Sequence, residues 1–276
     1  MLGLHINKNN NKDIIQAISK YNKSFNFNSI QLFIAQPRRN DIIKDYLNEE
    51  NLIKIASQLE NHYIAIHSNY NMINIFNDIN EKKFNDYYSS FIVQVEIAKQ
   101  IKAHSLVLHI GAHQTPQKII EVTRKLLKEI EKTDIKLLLE PIATTNNPYA
   151  KIENLNMITK NILHKNFGIC LDTAHLWLSG VNITNKGEGF LKKIKRLELI
   201  HLNGAKNEFN SGDDEHEIAG IKNDKIFYGK EEELMKIMKY AKKNNIPMIM
   251  EINAKLRQHH VYYLNNLCTS FINETT

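Results

Sequence analysis

Residues 135–172, IKLLLEPIATTNNPYAKIENLNMITKNILHKNFGICLD, read as one strand–helix–strand unit. IKLLLE (135–140) and FGICLD (167–172) are aliphatic runs without polar alternation, the pattern of strands buried on both faces. Between them, IENLNMITKNILHK (152–165) places apolar residues three and four apart, the period of an amphipathic helix. This order calls for two parallel strands joined by a helical crossover. Both runs end on a carboxylate, Glu140 and Asp172, and hydrophobic burial does not account for that ending.

The same unit recurs along the whole chain. LGLHI, SIQLFIAQ, YIAIH, SLVLH, LELIH and PMIMEI bring the apolar runs to eight, ending on or near His5, Gln36, His67, His109, His201 and Glu251. Helical periodicity fills the gaps, in KDIIQAISKYNKS, ENLIKIASQLEN, FNDYYSSFIVQVEIAKQIKA, PQKIIEVTRKLLKEIEK, GFLKKIKRLE, EEELMKIMKYAKKN and HHVYYLNNLCTSFI. Eight alternations predict an α/β fold closed as a (β/α)8 TIM barrel, a single domain spanning 1–276. A doubly wound open sheet would announce itself with a glycine-rich phosphate turn, and the sequence has none.

Composition narrows the class. The 276 residues carry 36 basic and 30 acidic side chains, a formal charge of +6 that suits a polyanionic partner without demanding one. Two cysteines, Cys170 and Cys268, make no disulfide framework or zinc ribbon, and Cys170 reads as a buried reduced thiol. Neither a signal peptide nor a membrane span is expected, so the chain reads as soluble and intracellular.

In a closed barrel the strand ends meet at one mouth. His67, His109, Glu140, Asp172, His201 and Glu251 would converge there, joined by His175 in DTAH and by Asp214 and His216 in DEH. His5, His62, His104, His113, His164, His259 and His260 are read as ordinary structural histidines. Carboxylates gathered in a partly dry mouth repel one another unless a cation sits among them. Mixed imidazole–carboxylate ligation suits zinc, with manganese or iron as alternatives. Nine such residues exceed one ion's needs and imply a cluster of two or three, a device that stabilises both oxygens of a phosphoryl displacement.

The motifs HSNY, LVLHIGAH, LLLEP, ICLDTAHLWLSGVNI, IHLNGAK, DEH and IMEIN, in this order, resemble the endonuclease IV family of apurinic/apyrimidinic endonucleases. FIAQPRR and the stretch around Asp172 are most similar to members from large DNA viruses. The resemblance implies a TIM barrel holding three zinc ions and cutting double-stranded DNA 5′ to abasic sites, leaving a 3′-hydroxyl and a 5′-deoxyribose phosphate. It assigns His67, His109 and bridging Glu140 to the first metal. Asp172, His201 and Glu251 complete the second, and His175, Asp214 and His216 hold the third. Glu140 and Glu251 would be catalytic as well as ligating. Arg38 and Tyr70 would contact DNA at the lesion, with Arg39 near a phosphate. A monomer is expected, in host cytoplasm, nucleus or virion if viral, and 3′-phosphodiesterase or 3′–5′ exonuclease activity is an open extension. Four stretches depart from the family pattern: PIATTNN after Glu140, Gly204 where an aspartate is usual, EIAGIKNDKIFYG after His216, and an extra residue near Asn71 and Met72, beside the Tyr70 wedge. Two rival readings are a metal-dependent sugar isomerase or epimerase on a related barrel and a non-catalytic DNA-binding module.

Overall fold

The computed structural model describes residues 1–8, 11–184, 187–252, 256 and 258–273. Its strands are β1 (Leu2–Ile6), β2 (Ser29–Phe33), β3 (Tyr63–His67), β4 (Ser105–Ile110), β5 (Lys136–Pro141), β6 (Phe167–Asp172), β7 (Leu197–His201), β8 (Asn203–Ala205), β9 (His216–Ile218) and β10 (Met248–Met250). Eight of them close into a parallel barrel in the order β1-β10-β7-β6-β5-β4-β3-β2, while β8 and β9 form a separate antiparallel ribbon. The helices are α1 (Ile14–Ser24), α2 (Glu49–Gln58), α3 (Glu81–Gln100), α4 (Pro116–Ile130), α5 (Ile152–Asn161), α6 (Thr173–Leu178), α7 (Gly187–Leu191), α8 (Glu231–Lys243) and α9 (Gln258–Asn273). The expected TIM barrel is therefore what the chain forms. No helix among the described residues is long and apolar enough to cross a membrane.

Local chemistry sets the helix starts. Asp13, Asn48, Asn80 and Thr115 each accept a first-turn backbone N–H with the side chain, capping α1 to α4. Two expectations need correcting. SIQLFIAQ is not strand to its end: β2 stops at Phe33, and the chain folds back so that Ala35 bridges Ile42 and Gln36 N–H donates to Asp41 O at 2.8 Å. Ile34 and Ala35 are fully buried in that fold-back, which is why the apolar run outlasts the strand. GFLKKIKRLE is helical only to Leu191, because the chain must turn to deliver Leu197 into β7.

Two hydrophobic layers hold the barrel. The larger lies between strands and helices; the smaller fills the interior with Ala65, Val107, Leu138, Cys170, Leu199 and Ile249. β1 approaches β2 too closely for a side chain at Gly3, where a Cβ would lie 1.8 Å from the Ser29 carbonyl oxygen. Both groups are backbone within a paired register, so no rotamer relieves the clash. Gly3→Ala should lower the stability by about 3 kcal/mol, read as a shifted urea midpoint. An unchanged midpoint would show that β1 can slide without opening the barrel.

Candidate metal centre

Strand periodicity builds the site. Side chains two residues apart share a face. Each interior apolar residue therefore has a mouth residue stacked one step above it: Ala65 below His67, Val107 below His109, Leu138 below Glu140, Cys170 below Asp172, Leu199 below His201 and Ile249 below Glu251. The six strand-end residues named from sequence all lie in this ring and are buried, except that Glu251 is partly exposed. β1 and β2 complete it with His5 and Gln31, which pair in register. Gln31, not Gln36, is the residue β2 sends to the mouth.

Three groups of donor atoms converge. In the first, His67 Nε2 and His109 Nε2 are 3.2 Å apart and lie 3.4 and 3.3 Å from Glu140 Oε2. The other Glu140 oxygen enters the second group, 2.8 Å from His201 Nδ1, which is 3.3 Å from Glu251 Oε2 and 4.0 Å from Asp172 Oδ2. In the third, Asp214 Oδ2 is 3.3 Å from His175 Nε2, Asp214 Oδ1 is 3.0 Å from His216 Nε2, and Asp172 Oδ2 stands 3.8 and 3.6 Å from the two imidazoles. All nine sequence candidates thus come together. Glu140 spans the first and second groups, and Asp172 the second and third.

These groups have the geometry of ligands awaiting a cation. Glu140 Oε2, His175 Nε2 and His216 Nε2 are buried without a hydrogen-bond partner, although Glu140 Oε2 lies 3.4 and 3.3 Å from His67 and His109, and the two imidazole nitrogens lie 3.3 and 3.0 Å from Asp214. The opposite ring nitrogens are occupied. His67 Nδ1 donates to Ser68 O at 2.6 Å, His175 Nδ1 to Pro141 O at 2.9 Å, and His201 Nε2 to Gln31 Oε1 at 2.8 Å. Each bond fixes a tautomer with a free lone pair facing the centre, the usual orientation of metal-binding histidine. Burial opposes protonation of His201 and His216, yet the carboxylates outweigh it, Glu140 and Glu251 at His201 and Asp172 and Asp214 at His216, and raise both to about 9. Burial likewise opposes charge on Glu140, but His201 and His109 hold it well below the usual carboxylate range. The same carboxylates supply the negative charge that a cation at this mouth would balance.

Neutral amides that sequence reading passed over hold the ring in place. Gln31 Nε2 donates to Glu251 Oε1 at 2.6 Å and to His5 Nδ1 at 2.9 Å, while its carbonyl oxygen accepts a hydrogen bond from His201 Nε2. Asn203 Nδ2 donates to Asp172 Oδ2 at 2.7 Å, and its Oδ1 accepts the Glu251 backbone N–H, also at 2.7 Å. His5, read as an ordinary histidine, is in fact buried beside Glu251 but belongs to none of the donor groups. Cys170 Sγ lies close to Glu140 and His201, and burial keeps it a thiol rather than a thiolate. The space beside Gly204 is taken: a Cβ there would meet Asp224 Cγ at 2.5 Å. The Asp224 carboxylate instead accepts the backbone N–H groups of Ala205, Gly220, Ile226 and Phe227, tying the stretch after β9 to β8.

Above the ring opens a cavity of about 730 Å³ whose lining includes Phe33, Arg38, Tyr70, His109, Asp214 and Glu251. Arg38 and Tyr70 meet on one rim because Tyr70 N–H donates to Pro37 O and Asn71 Nδ2 to Arg38 O, both at 2.7 Å. Tyr70 stacks on His109 with centroids 5.7 Å apart and stays 41% exposed, so it packs and still offers an edge to the cavity. Arg39 lies on the surface and pairs with Asp41 at 3.1 Å. Met72 is fully buried, whereas Ile73 reaches the cavity wall.

Comparison with known proteins agrees with the barrel fold. The family model of the xylose isomerase-like TIM barrel matches residues 20–263. A probable endonuclease 4 of Mycoplasma mobile is 32% identical over 248 residues, 85% of either chain. A probable AP endonuclease of African swine fever virus (isolate Pig/Kenya/KEN-50/1950) is 30% identical over 210 residues, 70% of this chain and 67% of the viral one. The crystal structure of endonuclease IV from Thermus thermophilus superposes with a TM-score of 0.78 at 18% identity, covers 99% of each chain, and shows the shared fold. The chain belongs to the xylose isomerase-like TIM-barrel family and, within it, to the endonuclease IV group of AP endonucleases.

Proposed function

We propose that this protein is a metal-dependent endonuclease of DNA base excision repair, hydrolysing the phosphodiester 5′ to abasic sites in duplex DNA and leaving a 3′-hydroxyl and a 5′-deoxyribose phosphate. The observation that carries this reading is the third donor group, Asp172, His175, Asp214 and His216, standing beside two others at one mouth. A sugar isomerase or epimerase on this barrel needs one or two ions and has no use for a third set. A purely DNA-binding module would bear the cost of several buried carboxylates for nothing.

His67, His109 and Glu140 would hold one ion, Glu140, Asp172, His201 and Glu251 a second, and Asp172, His175, Asp214 and His216 a third. Zinc fits the donor set, with manganese or iron as substitutes. When bound, the ions supply Lewis acidity toward the phosphate and a water of lowered pKa. The chain's own residues do the rest. Gln31 and Asn203 fix the carboxylate orientations, which keeps the centre preorganised. Arg38 brings positive charge to the rim, and Tyr70 offers its exposed ring edge to a gap in the base stack. An abasic nucleotide is easier to turn out than a paired one because it has no base to unpair, so selectivity follows from deformability and pocket size.

The test is incision of a synthetic duplex with a single abasic site, beside a set of ketose and aldose substrates. The expected result is cleavage 5′ to the lesion, lost with a chelator and restored by zinc. Sugar isomerisation without incision would overturn this reading in favour of the isomerase class.

A further inference from the structure

Asp214 is a candidate ligand carried on a loop, and its side chain is 46% exposed. Something other than burial must hold it. Part of the answer is α6: Trp177 Nε1 donates to Asn207 O at 3.1 Å, Asn210 N–H to Trp177 O at 3.0 Å, and Gly212 N–H to Leu178 O at 2.9 Å. Within the loop, Asn207 Nδ2 donates to Asp213 O and Lys206 N–H to Glu215 O, both at 3.0 Å, and a further set of bonds comes from the loop after β5, the stretch PIATTNN. Asn146 N–H donates to Asn210 Oδ1 at 2.9 Å, Asn210 Nδ2 returns a bond to Asn146 Oδ1 at 3.2 Å, and Thr145 Oγ1 donates to Ser211 O at 3.2 Å.

Both asparagines adopt the left-handed conformation, with φ of 55° for Asn146 and 62° for Asn210. Asparagine enters this region more readily than other residues with a Cβ, because its short amide can hydrogen-bond nearby. Gly212, also left-handed at φ 75°, lets Thr145 come against the backbone two residues before Asp214; a Cβ would meet Thr145 N at 2.8 Å. The β5 loop is anchored in turn, through Thr144 N–H to Ser179 Oγ at 3.2 Å and Asn147 Nδ2 to Ile142 O at 2.7 Å. One strand thus ends on Glu140, between the first and second groups, and six residues later reaches across to fix the third.

We propose that Asn146 and Asn210 are positioning residues, a reciprocal amide latch that presets Asp214 for the third ion without touching any ligand. The proposal rests on the three-ion reading above. Asn210→Gly removes both latch bonds while accepting the left-handed backbone without strain, so the variant should fold. Metal content is read by elemental analysis after dialysis into buffered zinc, with no activity measurement required. Wild type is expected to hold three ions, and Asn210→Gly to bind the third at least ten-fold more weakly with the other two unchanged. Asn146→Asp keeps an acceptor for the Asn210 amide and its own backbone donor, and should retain all three. Asn210→Gly keeping three ions at wild-type affinity, or losing all three together, would overturn the latch. A wild type that binds only two ions would overturn the three-ion reading, and the latch with it.

Discussion

Glu140→Gln is expected to abolish incision of an abasic duplex, by about 10³-fold or more, while leaving the barrel folded. The carboxylate is fully buried, and its two oxygens serve different groups: Oε2 lies between His67 and His109, and Oε1 lies 2.8 Å from His201 Nδ1. Glutamine has the same shape but only one oxygen, and its amide nitrogen carries no lone pair for a cation. Whichever way it turns, one group loses its acceptor and gains two N–H donors. The replacement is nearly isosteric, so the barrel should still form, although taking one partner out of a buried carboxylate–imidazole pair lowers stability by about 3 kcal/mol. Metal content should fall at the first or second group while circular dichroism stays unchanged. Near-normal cleavage by the variant would remove Glu140 from the centre.

Much of this ring was legible in the chain because strand periodicity is strict. An apolar residue followed two positions on by a histidine or carboxylate, as in Leu138–Glu140 or Val107–His109, needs only a closed barrel to place it at the mouth. His175 and Asp214–His216 depended on short spacings, three residues after a strand-end aspartate and one residue apart. The supporting amides were not legible. Gln31 sits in the middle of an apolar run, and only the register that pairs it with His5 shows that it is the residue β2 sends inward. Asn203, Asn146 and Asn210 act through partners tens of residues distant, and nothing in a neutral amide marks it in sequence. Asp224 is of the same kind: its carboxylate fills the space beside Gly204 from twenty residues away and ties four backbone N–H groups together there.

Stripping metal from the protein should convert its stability into a falling function of pH on the alkaline side. In the metal-free chain the imidazoles of His201 and His216 are raised from 6.5 to about 9 against the opposing effect of burial. A folded-state pKa above the unfolded value stabilises the fold fully below the unfolded value, and that stability disappears as pH rises through the folded one. The window therefore runs from about pH 6.5 to about pH 9. Each histidine taken alone is worth on the order of 3 kcal/mol, but both draw on Asp172 and Glu251. Their contributions overlap, and the expected loss is about 3 kcal/mol in total, or roughly 5 to 10 °C in Tm for a chain of this size. Zinc should reverse the trend, because a divalent ion supplies the positive charge that the protons gave and binds better as they leave. Thermal denaturation at pH 6.5 and 9, with chelator and with zinc, checks this. The stripped protein should melt lower at pH 9 than at pH 6.5, and the zinc-loaded protein should not. Parallel behaviour of the two forms would show that the clustered imidazoles and carboxylates are held by the barrel alone, with no cation required to balance them.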